Sequence, residues 1–87
     1  MPYRIEVRRV AEKQLLDLDK KVYQSISELI EGLAINPRPM GLKKLVGTEL
    51  WRVRAGNYRV VYQIVDQEKR VIVVRVAKRD ERTYEGL

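Results

Sequence analysis

Two periodicities divide this chain. Tyr3-Arg4-Ile5-Glu6-Val7 alternates with period two, the pattern of a short strand with one buried face. Ala11, Leu15 and Leu18 then recur at helical spacing, until Asp17 and Asp19 interrupt them. A longer stripe follows: Val22, Ile26, Leu29, Ile30 and Leu33 fall on one side of a helix. Asp19 suits the N-cap of this second helix, because its short carboxylate can accept a hydrogen bond from a free backbone N–H of the first turn. Asn36-Pro37-Arg38-Pro39 stops it, since proline cannot continue a helix and restricts the residue before it. The two helices read as a hairpin whose apolar stripe faces the core.

Residues 40–48 form a basic connector with two glycines, carrying Lys43 and Lys44. Beyond it the period returns to two. Leu50-Trp51-Arg52-Val53-Arg54 is one strand and Tyr58 to Val65 the next, joined through Gly56-Asn57, a pair that tolerates the positive φ of a tight hairpin. Asp66 to Lys69 makes a second polar turn. Val71 to Ala77 is so apolar that it belongs inside the sheet, covered on much of both faces. The order β-α-α-β-β-β describes a single α+β domain over residues 1–87. Its N-terminal helical hairpin is expected on one face of a twisted antiparallel sheet, with the opposite face partly open.

Charge turns this outline toward a function. The net charge is +6, and it is unevenly spread. Residues 8–35 carry five basic and five acidic side chains, whereas residues 36–79 carry eleven basic and three acidic. A neutral part joined to a strongly positive part suits a surface that meets a polyanion. Cysteine is absent, which excludes disulfides and thiolate metal sites and fits a reducing cytoplasm. Histidine is absent too, removing the usual zinc ligand and the usual general base. No metal or small-molecule cofactor is therefore expected. No run approaches the roughly 18 apolar residues of a membrane span, and MPYRIEVRRV lacks the apolar core of a signal sequence, so a cytoplasmic protein is expected.

The Gly56-Asn57 turn sets a register. It places Ala55 opposite Tyr58, Arg54 opposite Arg59, and Arg52 opposite Val61, with all three arginines on one face. Like charges directly opposite on a sheet are destabilising. A small domain gains from them only when an anion bridges them, and the planar fork of arginine suits phosphate. The competing reading is that acids pair these arginines, but the only acid near the hairpin in sequence is Glu49. Trp51 and Val53 take the other face. Trp51 reads either as a core residue closing the helix–sheet interface, the preferred reading, or as a base-stacking platform. Tyr84 lies outside any apolar pattern, after Lys78, Arg79 and Arg82. Cations favour a phenolate, which is one route to a base without histidine. A tyrosine packed on the sheet edge is the alternative.

These residues resemble a known family. Lys44-Leu45-Val46-Gly47, Leu50-Trp51-Arg52-Val53-Arg54, the run Tyr58 to Asp66, and the tail Lys78-Arg79-Asp80-Glu81-Arg82-Thr83-Tyr84 are similar to the RelE branch of the RelE/ParE toxins of prokaryotic toxin–antitoxin systems. The resemblance spans nearly the whole chain. Tyr58-Arg59-Val60-Val61-Tyr62 is shared across the superfamily, while the Lys-Arg…Arg-x-Tyr tail is more specific to the ribonuclease branch. It implies an endoribonuclease that enters the A site of the 70S ribosome, cleaves mRNA and so inhibits translation. Cleavage would proceed by attack of the ribose 2′-OH on the adjacent phosphate, leaving a 2′,3′-cyclic phosphate and a 5′-OH. By resemblance, Arg52 and Arg54 take the place of two basic residues of the catalytic site. Arg59 would clamp the scissile phosphate, Arg79 would stabilise or protonate the leaving 5′ oxygen, and Tyr84 would orient the nucleotide and accept the 2′ proton. Lys43, Lys44, Lys78 and Arg82 would hold the substrate. The best-known member has lysines at the positions of Arg52 and Arg54. Arginine, unlike a crowded lysine, does not give up its proton, so more of the proton transfer falls to Tyr84 or to orientation and electrostatics. The resemblance also implies a cognate RelB-like antitoxin, whose acidic residues would meet the basic surface. The alternative is a ParE-like toxin that inhibits DNA gyrase without nuclease activity.

Overall fold

The structure, a computed structural model, describes residues 2–78. A short strand β1 (Arg4–Val7) leads into helix α1 (Arg9–Leu16) and helix α2 (Lys20–Gly32). Asp19 caps α2, its side chain accepting from the Val22 N–H at 3.0 Å. The connector holds a two-residue strand β2 (Lys43–Lys44), followed by β3 (Leu50–Ala55), β4 (Tyr58–Val65) and β5 (Arg70–Lys78). A 3-10 turn at Asp66–Glu68 joins the last two, closed by Lys69 in the left-handed region at φ 52°. Among the described residues, no helix is long and apolar enough to cross a membrane.

The five strands lie in the order β1-β5-β4-β3-β2. The α+β class and the helical hairpin are as the sequence reads, but the sheet is mixed: β1 pairs parallel with β5, and the other pairings are antiparallel. Hairpin turns impose antiparallel pairing only between consecutive strands. Both helices and three strands intervene between β1 and β5, so no turn dictates their relative direction.

The core lies between the hairpin and one sheet face. Ala11, Leu15, Ile26, Ile30 and Leu33 from the helices meet Val53, Val60, Tyr62, Val71, Val73 and Val76 from the sheet. Each large apolar side chain so buried contributes roughly 1.5–3 kcal/mol. Trp51 joins the edge of this core, half-buried, with the Lys44 ammonium 5.7 Å from its ring centroid. Tyr62 is fully buried and donates from its hydroxyl to the Pro37 carbonyl at 2.7 Å, tying the end of the helical hairpin to the middle of the sheet.

Candidate nucleic-acid interface

The register read from Gly56-Asn57 is the register found: Ala55 faces Tyr58, Arg54 faces Arg59, and Arg52 faces Val61. Gly56 takes φ 61° while Asn57 stays out of the left-handed region, the pattern of a type II′ turn. Only the first of the two loop positions therefore demands glycine. The turn matches the right-handed twist of the flanking strands, and its two-residue length leaves no slack for a slipped pairing.

The face turned away from the helices then carries rows of cross-strand neighbours. Arg54 and Arg59 form one row, continued by Ala77 on β5. Lys43, Arg52, Val61 and Arg75 form the next, one from each of four adjacent strands. Strand geometry spaces such rows about 7 Å apart along the strands and sets neighbouring strands about 4.8 Å apart. Arg54 and Lys43 are exposed, Arg59 and Arg75 half-buried. Arg52 is 7% exposed, and among the described residues it alone is a buried charged side chain. Val61 and Ile72 on the same face are buried as well, so the cations surround an apolar floor.

A buried charge is costly unless an opposite charge meets it. Between described residues, the ion pairs join Arg38 to Asp66 and Arg70 to Glu6 and Glu68, and none involves Arg52 or Arg75. These pairs sit toward the far end of the sheet, roughly 20 Å from Arg59 along β4. There Arg38 makes two hydrogen bonds to Asp66, at 2.7 and 3.1 Å, and the Tyr3 hydroxyl donates a third at 2.6 Å. The Arg38 guanidinium, helped by Tyr3, holds the Asp66 carboxyl down at about 2. Acid is thus matched with base at one end of the sheet, while Arg52 and Arg75 at the other end have no acidic partner among the described residues.

The proposed site residues divide accordingly. Arg52, Arg54, Arg59 and Lys43 share one face. Lys44 does not join them: it pairs with Trp51, and strand alternation turns it to the helix side. Lys78 pairs with Tyr58 and likewise falls on the helix-side parity, at the end of β5. Arg79, Arg82 and Tyr84 lie outside the described residues. One cation was missed in the sequence. Arg75 shares its parity with Val71 and Val73 and so reads as part of a core-facing strand. A bulge corrects this: Tyr62 pairs with Val73 and Val61 with Arg75, leaving Val74 as the extra residue. The available signal was a lone arginine within Val71-Ile72-Val73-Val74-Arg75-Val76-Ala77.

Comparison with known proteins places the chain. The family model described as the ParE toxin of the type II toxin–antitoxin system parDE matches residues 5–83. The RelE1 protein of Methanocaldococcus jannaschii is 36% identical over 99% of both chains. Toxin RelE of Mycobacterium tuberculosis is 34% identical over 90% of this chain and 82% of its own. The archaeal RelE–RelB complex from Pyrococcus horikoshii contains a chain that superposes with a TM-score of 0.82 at 30% identity, covering 93% of this chain and 99% of that one.

Proposed function

The chain belongs to the RelE/ParE toxins of type II toxin–antitoxin systems, on the RelE side of that family, and from this premise we propose that it is a ribosome-dependent endoribonuclease. The observation that carries the reading is the facing pair Arg54 and Arg59 beside the buried Arg52, three guanidiniums assembled on one sheet face. A phosphodiester supplies the negative charge that the buried Arg52 lacks among the described residues, and arginine can bind two of its oxygens at once.

In the proposed reaction the ribose 2′ oxygen attacks the adjacent phosphorus and the bond to the 5′ oxygen breaks. The products are a 2′,3′-cyclic phosphate and a 5′-OH. Arg59 and Arg54 bind the phosphate and the charge that builds on its free oxygens, in a geometry set before substrate arrives. Tyr84 accepts the 2′ proton, and Arg79 stabilises the charge on the departing 5′ oxygen, which takes its proton from water. The last two roles rest on the family resemblance. The composition, without histidine or cysteine, suits catalysis by cations and orientation.

The partner proposed for the basic surface is a RelB-like antitoxin, in keeping with the RelE–RelB complex of Pyrococcus horikoshii. Acidic residues on such a partner would be steered to this surface. The family model named for ParE motivates a second reading, inhibition of DNA gyrase by protein contact. That activity gives no reason for an Arg52 buried with no acidic partner among the described residues, beside further arginines on one face.

Primer extension on mRNA in programmed ribosomes separates the two. Expected are A-site cuts that disappear with Arg79→Ala or Tyr84→Phe. Intact mRNA together with gyrase-mediated DNA breaks would overturn the nuclease reading.

A further inference from the structure

Arg75 is the cation on this face that the proposed reaction does not yet use. Its position depends on a defect in the sheet. Along β5, Val71 and Val73 face the helices, and an unbroken strand would turn Arg75 the same way into the core. The bulge at Val74 shifts the alternation by one residue. Val76 then takes the core position, and Arg75 comes out on the arginine face.

The bulge is held on its outer side. β1 ends opposite Val73, whose carbonyl accepts from the Arg8 N–H at 2.9 Å. Beyond that point the Val76 N–H donates to Gln14 Oε1 of α1 at 2.7 Å. Gln14 thus satisfies a backbone donor that β1 is too short to reach. The two anchors bracket Val74 and Arg75.

We propose that Arg75 is a further substrate-binding residue that grips a backbone phosphate of single-stranded RNA next to the scissile one. Arg54 and Arg59 face each other in one row and converge on one phosphate. Arg52 and Arg75 flank Val61 in the next row, about 7 Å along the strands. Their Cα atoms are two strand spacings apart, about 10 Å, so two long side chains can close over Val61 on a second phosphate. Arg75 is half-buried, which limits its freedom, and among the described residues no carboxylate engages it. Its contribution is to hold the RNA in register and not to break the bond. The assignment rests on the nuclease reading above for the identity of the polyanion.

The test measures binding, with cleavage as a separate readout. Ribosomes are programmed with an mRNA whose A-site codon carries 2′-deoxy sugars, and in parallel with an mRNA that ends at the P-site codon. Arg75→Met keeps the apolar stem and removes the charge. Thermal unfolding of this variant checks that the fold survives, and Arg75→Lys restores a point charge. Expected is about tenfold weaker binding of Arg75→Met to the codon-bearing ribosome, unchanged binding to the truncated one, and partial recovery in Arg75→Lys. Wild-type affinity of Arg75→Met for the codon-bearing ribosome would overturn the assignment, as would an equal loss on both ribosomes. Wild-type cleavage of all-ribose mRNA reports on the nuclease reading separately. Cleavage without any Arg75 effect overturns this assignment alone, and a codon-dependent Arg75 effect without cleavage overturns the nuclease alone.

Discussion

Tyr62→Phe removes one oxygen atom and leaves the shape of the core intact. The lost group is the hydroxyl that donates to the Pro37 carbonyl at 2.7 Å from a fully buried position. A typical intramolecular hydrogen bond contributes about 1 kcal/mol net, and leaving a buried acceptor unsatisfied raises the cost to about 1–3 kcal/mol. Pro37 is itself buried, so water does not readily replace the donor. For a domain of this size each kcal/mol corresponds to about 4–8 °C, so the melting temperature should fall by roughly 5–20 °C. The dependence on pH adds a second signature. Burial pushes the Tyr62 phenol well above its ordinary value of 10.0. A group whose folded pKa is raised contributes stability that is complete below the unfolded pKa and lost as pH rises toward the folded one. The gap between wild type and Tyr62→Phe should therefore narrow above pH 10, by about 1.4 kcal/mol per pH unit. Urea unfolding followed by circular dichroism between pH 7 and 11 measures both effects. A Phe variant as stable as wild type at pH 7, or a gap that stays constant up to pH 11, would refute the reasoning. The contact also bears on the site, because Pro37 opens the connector that delivers Lys43 to β2.

Other perturbations test the site and its surroundings. Arg59→Ala should slow single-turnover cleavage in programmed ribosomes by about 100–1,000-fold, the usual cost of losing one preorganised group at a developing charge; a loss below tenfold would remove Arg59 from the reaction centre. Arg54→Lys should cleave faster than wild type, since a crowded lysine can exchange its proton and arginine cannot; unchanged or slower cleavage would count against this account of the proton transfer. The Asp66 carboxyl, held at about 2 by Arg38 and Tyr3, contributes stability that is present above pH 4 and lost as pH falls toward 2. Asp66→Asn should accordingly lower the urea midpoint at pH 6, with the gap from wild type shrinking as pH falls from 4 to 2, and a gap as wide at pH 2 as at pH 6 would contradict the assignment.

Much of this arrangement is legible in the chain because it is local. The stripe from Val22 to Leu33 marks a helix face, Asp19 caps that helix, and a two-residue turn at Gly56 leaves one register for Arg52, Arg54 and Arg59. What escaped depends on distant partners. The parallel pairing of β1 with β5 follows from closing the sheet across most of the chain, which no short-range pattern encodes. Lys43 and Lys44 read as one basic pair in a loop, yet pairing with β3 makes them a strand and sends them to opposite faces. Arg75 is the most consequential case. Counting alternate residues places it in the core, and only the bulge, where β4 meets β5 out of step, turns it outward. Its support from Gln14 spans 62 residues of sequence. Functional geometry of this kind arises where the regular period fails, and a period count alone passes over it.

The central claim is that this basic face cuts RNA through the 2′-OH of its substrate. Its most direct test uses two mRNAs in programmed ribosomes, identical except for one 2′-deoxy sugar at the nucleotide 5′ to the A-site cut. The expected result is cleavage of the all-ribose message, leaving a 2′,3′-cyclic phosphate, and an intact deoxy message. Cutting of both, or of neither, would contradict the account.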